Sequence, residues 1–289
     1  MKCAYCGDEG QSTKEHIISH SVLELFPECD LTYDDMRNTV YKAEPMIKDV
    51  CAECNNKRLS YIDSYAKSFI QKYFVRSYNE EAVVEIEYDY VMIQKMLLKY
   101  AFNDMRSRKQ DYSFFDKDIR HFLLDASNKL PLENLTVLCG LAVNVSPVPE
   151  EIFGNLRLRW GKDPIFFSNS TVRHIDYATG QVYLNENNEI QNFDGLQFSY
   201  AFRFNSVQFL LLCWEKESAK IDMNNIILQY QYPYHILQAH EHSAKLPLCT
   251  DEVNYHQFNH IHVQWDGLFE VGRIRRVASE GGSLVKNPN

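Results

Sequence analysis

The chain has 289 residues, 45% hydrophobic and 24% charged, with only 11 Gly and 9 Pro, which excludes a low-complexity or disordered protein and leaves room for one large domain or two ordinary ones. A net charge of −9 excludes general attraction to nucleic acid or anionic membrane, so any polyanion must meet a local patch. The longest clean apolar run, residues 209–214, is far short of the roughly 18 residues of a membrane span. The start Met1-Lys2-Cys3, soon followed by Asp8 and Glu9, offers no apolar signal segment; the expectation is a cytoplasmic protein without membrane contact.

Residues 1–56 are rich in Cys, charge and turn formers and show no sustained helical stripe, the texture of a small metal-organised unit. Then Leu59, Ile62, Ala66, Phe69, Ile70 and Tyr73 recur at three- and four-residue intervals, which predicts a helix from residue 51 or 52 to 77 with one buried face. A second helix is predicted over 91–108, with Ile93, Met96, Leu97, Tyr100, Ala101 and Met105 on its apolar face, and a third over 115–124.

After Asn128 the texture becomes β-rich. Strands are predicted at 135–145, 156–160, 181–184, 196–204, 207–214 and 226–230, with turn signals at 177–180 and 193–195. The fold class is α+β: an N-terminal zinc-stabilised unit over 1–80, a helical connector over 81–130, and a mainly antiparallel β domain of unassigned role over 131–289. The tail, 279–289, is expected to fray.

Eight cysteines in a cytoplasmic chain point to metal ligands or buried thiols before disulfides. Cys3 and Cys6, and Cys51 and Cys54, form two CxxC knuckles, each able to aim two thiolates at one ion. Tetrahedral zinc accepts four such ligands, and a closed four-thiolate site is structural. A redox CxxC is the competing reading, disfavoured by two pairs so far apart. Cys29, Cys139, Cys213 and Cys249 lack paired spacing and read as buried free thiols.

Between the knuckles, Glu15-His16-Ile17-Ile18 reads as a short strand whose neighbouring side chains point to opposite faces. A carboxylate there could bind metal while the imidazole acts as a base. Asn55 and Asn56, after the last cysteine, fall in the first turns of the predicted helix. Glu15 with an Asn is an oxygen set suited to Mg²⁺ or Mn²⁺.

The ordered pattern of CxxC, then Glu15-His16-Ile17-Ile18, then Val50-Cys51-x-x-Cys54-Asn55 resembles the HNH endonuclease family over about residues 1–60. The resemblance implies a ββα-metal core held by a structural zinc on Cys3, Cys6, Cys51 and Cys54. It makes His16 the general base, and Glu15 with Asn55, or Asn56 in its stead, the ligands of a catalytic Mg²⁺ or Mn²⁺. The reaction implied is hydrolysis of DNA phosphodiester bonds, with RNA as the other polymer class, in a prokaryotic restriction or antiphage setting. The sequence departs from the family at Ser19, where Pro is usual, and at the middle Asn, for which Asp49 is the nearest candidate.

Lys57, Arg58, Lys67, Lys72 and Arg76 give residues 55–78 a basic character against Asp63 alone, which reads equally as a phosphate-contacting helix or as a solvated face. A non-catalytic zinc-knuckle module that docks nucleic acid or protein is the alternative function, and it has no use for Glu15, His16 or Asn55. Cutting both strands with one site per chain points to a homodimer, and the large C-terminal half leaves room for a regulatory partner or ligand. His20 reads as a structural or surface group, and His240, His242, His256, His260 and His262 as solvated or strand-paired. Trp160, Trp214 and Trp265 read as core anchors.

Overall fold

The computed structural model describes residues 1–27, 32–34, 39–41, 43–79, 81–141, 165–169, 195–215 and 234–248. Strand β1 (Ser12–His16) runs antiparallel to β4 (Met46–Cys51), with Ser12 opposite Cys51 and His16 opposite Met46. Between them lie the short helix α1 (His20–Leu23) and the paired strands β2 (Thr32–Asp34) and β3 (Thr39–Tyr41). Alternation sends Glu15 and Val50 inward and leaves Lys14 and Met46 exposed.

Cys51 ends β4 and helical backbone begins at Ala52, as expected, but it is not one regular helix: Cys54–Arg58 form a π-helical segment, closed by the Leu59 amide donating to the Cys54 carbonyl at 2.9 Å, and α2 follows over Ser60–Tyr73. The predicted apolar stripe is its buried face, Ile62, Ala66, Phe69, Ile70 and Tyr73. The helix ends at Tyr73, short of residue 77, and a distant turn takes the carbonyls that follow it. Asn205 Nδ2 donates to the carbonyls of Phe74 and Val75 at 2.9 and 3.0 Å, and Ser206 Oγ to that of Arg76 at 2.8 Å.

That turn joins β8 (Leu196–Phe204) to β9 (Val207–Trp214). Asn205 sits at φ +48°, the left-handed region that asparagine tolerates better than most residues and that two-residue hairpin turns require. With β6 (Leu135–Leu141), β7 (Ile165–Asn169) and β10 (His235–Ile236) these strands form a five-stranded antiparallel sheet, in the order β10-β6-β9-β8-β7. A separate pair, β5 (Val84–Glu87) and β11 (Ser243–Leu246), escapes the sequence reading.

Helix α3 (Tyr90–Ser107) begins at Asp89, whose carboxylate accepts the Met92 amide at 3.1 Å, and α4 (Lys117–Leu124) begins at Asp116, which caps two amides. The one-sided apolar face expected of α3 is corrected. Every residue from Val91 to Arg106 is buried, including Gln94, Lys95, Lys99, Asn103, Asp104 and Arg106. These polar side chains hold the surrounding elements: Gln94 exchanges hydrogen bonds with the Leu132 backbone at 3.0 and 2.9 Å, and the Tyr200 hydroxyl donates to Asp104. One hydrophobic cluster runs through residues of β4, α2, α3, α4 and the sheet.

The chain is therefore of mixed helix and strand, with a C-terminal antiparallel sheet and a cluster of four cysteines at its N-terminal end. Trp214, Cys139 and Cys213 are buried, the Trp214 indole donating to Thr136 Oγ1 at 3.0 Å. No helix among the described residues is long and apolar enough to cross a membrane. The expected strands at 156–160, 181–184 and 226–230, the end of the strand expected to 145, and the turn at 177–180 lie outside the described residues. So do Cys29, Cys249, Trp160, Trp265, His256, His260, His262 and residues 279–289.

Candidate metal centre and histidine cluster

The first knuckle is a tight turn. Gly7 takes φ +80°, its amide donates to the Cys3 carbonyl at 2.9 Å, and the Cys3 amide donates to the Asp8 carbonyl at 2.9 Å. The left-handed backbone at Gly7 is the conformation that a side chain disfavours. The second knuckle straddles the end of β4 and the π-helical segment, and β1 pairing brings it to the first: the Ala4 amide donates to the Asp49 carbonyl at 2.8 Å. Gly10 passes so close that a Cβ there would lie 2.9 Å from Cys51 Cβ. Arg120 of α4 donates to the Ala4 carbonyl at 3.1 Å from outside.

The Sγ atoms of Cys3, Cys6, Cys51 and Cys54 lie within 4.8 Å of one another, and the Cys6–Cys51 pair is 3.9 Å apart. Four thiolates about 2.3 Å from a zinc ion stand roughly 3.8 Å apart along the edges of a tetrahedron. The cluster could hold a zinc ion. Burial, and then the neighbouring sulfurs, push the Cys54 thiol up, and burial pushes Cys6 up to about 11. At Cys3 burial also raises, but the amides of Cys51, Cys6 and Tyr5 outweigh it and bring the thiol down to about 7. A dication at the centre would stabilise the thiolates that crowding disfavours.

Glu15 and His16, nominated together from the sequence, are not brought together. The Glu15 side chain is 4% exposed, its Oε1 lies 2.8 Å from Lys99 Nζ, and Asn103 Nδ2 donates to it at 3.4 Å. Lys99 also holds Asp63 at 2.6 Å. Burial raises the Glu15 carboxyl above its ordinary range, whereas Asp63 and Glu15 outweigh burial at Lys99 and hold it protonated. The placement of Glu15 as a ligand of an ion beside His16 does not fit this geometry, because its carboxylate is engaged by a buried cation on the other face of β1.

Asn55 meets β1, as a donor: its Nδ2 reaches Thr13 Oγ1 and the Lys14 carbonyl, both at 3.0 Å. Asn56 is exposed. Of the basic residues, Lys57 pairs with Glu53 at 2.8 Å and Lys72 with Glu87 at 2.7 Å, while Arg76 Nε donates to the Tyr78 hydroxyl at 2.7 Å. Arg58 and Lys67 are half-buried. Asp49, the nearest candidate for the middle Asn, pairs with Arg106 at 3.1 Å. Ser19, where the family usually has Pro, is buried with its Oγ 3.1 Å from the Tyr100 hydroxyl.

His16 lies on the outward face of β1 in a second cluster that the sequence reading missed. His16, His20 and Glu44 place one ligand atom each within 4.8 Å of the others. His16 Nε2 is 2.8 Å from Glu44 Oε2, and His20 Nδ1 is 2.8 and 2.9 Å from the two Glu44 oxygens. His20 Nε2 is 3.3 Å from Glu24, and the two imidazoles stack at 5.4 Å. Hydrogen bonding to Glu44, ahead of all other causes, raises the His20 pKa. His20, expected to be a structural or surface group, thus belongs to this cluster, and Glu44 carries no motif that marks it in the sequence. The only signal for Glu44 was its place two residues before the strand that pairs His16 with Met46.

His240 and His242 are exposed, as expected of solvated groups, and His235 lies 3.4 Å from Glu241. No protein-family model, curated protein or solved structure matches the chain.

Proposed function

We propose that the chain is a metal-dependent endonuclease of the HNH type that hydrolyses phosphodiester bonds of DNA, with His16 as its general base. The observation that carries this reading is the half-exposed His16 imidazole, 2.8 Å from the Glu44 carboxylate, at the outer end of the strand pair that the four cysteines join to the following helix. The order of strand, strand and helix with two CxxC knuckles is the order that the family resemblance calls for. A histidine titrates near pH 6.5 and can take a proton from water at physiological pH. The Glu44 carboxylate, 2.8 Å from His16 Nε2, fixes the orientation of the ring.

Asn55 supports the same strand from behind through Thr13 and Lys14, and Asn103 holds its far end by donating to the His16 carbonyl at 3.0 Å. The four cysteines supply structure and take no part in the proton transfer. A divalent ion, when bound, stabilises negative charge on the phosphate and the leaving oxygen.

Cleavage of supercoiled plasmid by zinc-loaded protein with added Mg²⁺ or Mn²⁺ tests the reading. Nicking or linearisation that disappears with EDTA and in His16→Ala is the expected result. Intact plasmid under all conditions, from folded and zinc-loaded protein, would turn the assignment toward the zinc-knuckle binding module.

A further inference from the structure

We propose that Nδ1 of His20 and the carboxylate of Glu44 are the protein ligands of a divalent cation beside His16, with Glu24 as the carboxylate that orients His20. The inference rests on the nuclease reading only in leaving His16 the role of base. It replaces the ligand pair that the family resemblance nominated, because Glu15 is engaged by Lys99 in the interior.

The argument starts from the two nitrogens of His20. Glu24 lies 3.3 Å from Nε2, and Glu44 offers both oxygens to Nδ1 at 2.8 and 2.9 Å. A neutral imidazole has one N–H. When Nε2–H is given to Glu24, Nδ1 of the neutral ring turns a lone pair toward the Glu44 oxygens, and a divalent cation there takes the place of the proton that otherwise bridges the contact. A histidine whose far nitrogen is held by a carboxylate is the usual arrangement of a metal-ligating imidazole.

The surroundings suit an ion that keeps water. His20 and Glu44 are 56% and 32% exposed, so an ion there has room for solvent ligands and for a phosphate oxygen. One nitrogen with a carboxylate falls between the hard oxygen sites of Mg²⁺ and the nitrogen-rich sites of Zn²⁺, which makes Mn²⁺ the suitable probe. His16 Nε2 lies 2.8 Å from the same carboxylate, and giving its N–H there leaves Nδ1 as the nitrogen that can accept a proton from water at this face. The soft thiolate cluster would retain zinc and leave this second site to the harder ion.

The test is Mn²⁺ titration of the full-length, zinc-loaded chain, followed by the loss of the free-ion paramagnetic resonance signal. Zinc content and circular dichroism confirm that each variant is folded. One Mn²⁺ per chain is expected to bind, weakened about 10-fold or more in His20→Ala and in Glu44→Gln, about 10-fold in Glu24→Gln, and unchanged in His16→Ala.

Absence of Mn²⁺ binding by the unaltered protein, unchanged binding in His20→Ala and Glu44→Gln, or an equal loss in His16→Ala would each overturn the assignment. Plasmid cleavage is scored separately. Mn²⁺ held by His20 and Glu44 without any cleavage would keep the ion site and defeat the nuclease. Cleavage that survives both substitutions would do the reverse.

Discussion

Glu15 and His16 are neighbours in sequence that β1 holds on opposite faces, the carboxylate 2.8 Å from Lys99 in the interior and the imidazole 2.8 Å from Glu44 outside. Lys99 is fully buried and balances two carboxylates, Glu15 and Asp63. Removing the cation leaves the buried Glu15 without a counter-charge and with only the long contact from Asn103, so Lys99→Met is expected to cost about 3–5 kcal/mol in urea unfolding. Glu15→Gln leaves Lys99 its pair with Asp63 and is expected to cost less, about 1–3 kcal/mol. Mn²⁺ affinity of folded Glu15→Gln should equal that of the unaltered protein; a large loss would put Glu15 back among the ligands.

The four sulfurs tie a first knuckle that is mostly turn to a second that spans a strand end and a helical segment, adding to the Ala4–Asp49 hydrogen bond and the β1–β4 pairing. One tightly held zinc per chain is expected by elemental analysis. Cys54→Ser should lose it and lower the melting temperature by about 10 °C or more, since a structural zinc contributes folding free energy outright and each kcal/mol moves the midpoint of a chain this size by about 2–4 °C. Purified protein that is folded, metal-free and disulfide-bonded would favour the redox reading of the CxxC pairs.

Asn55 separates a ligand from a strut by one substitution. Its Nδ2 donates to Thr13 Oγ1 and to the Lys14 carbonyl, each at 3.0 Å, and aspartate has no hydrogen to give. As a strut, Asn55→Asp should destabilise the chain by about 1–3 kcal/mol and leave Mn²⁺ affinity unchanged. As an ion ligand it should bind Mn²⁺ more tightly, because a carboxylate is the stronger oxygen donor.

The elements legible in the sequence were those with strong local periodicity. The stripe Ile62, Ala66, Phe69, Ile70 and Tyr73 is the buried face of α2, and the runs around Asn205-Ser206 are β8 and β9 with the bounds expected of them. The four-cysteine cluster was legible because CxxC spacing itself encodes the knuckle. Missed were features set by distant partners: the contacts of Asn205 and Ser206 just beyond the end of α2, and the antiparallel pairing of β5 with β11, in which Val84 faces Leu246 and Glu87 faces Ser243. The apolar stripe of α3 gave no sign that its polar residues are buried too, Lys95, Lys99 and Asn103 with partners from other elements. Alternation along β1 was read correctly, and it is what parts Glu15 from His16. His16 finds Glu44, a carboxylate that no sequence spacing ties to it, while His20 finds both Glu44 and, one helical turn on, Glu24.

Lys95 provides a pH signature of the buried helix. Its side chain is fully buried, donates to the carbonyls of Asp125 and Asn128 at 2.7 and 3.0 Å, and lies 4.9 Å from the Phe122 ring. Burial, ahead of every other cause, brings its pKa down from 10.5 to about 8. Between about pH 8 and 10.5 the unfolded chain therefore binds a proton that the folded chain has released, so stability conferred at this site rises with pH in that window and is flat below it. The comparison that isolates it is urea unfolding of the unaltered protein and Lys95→Met at pH 7.5, 9 and 10.5, where other titrating groups cancel. The difference between the two is expected to move toward the unaltered protein by up to about 3 kcal/mol across the window. Parallel profiles would mean that Lys95 keeps its proton in the fold, held by the two carbonyls.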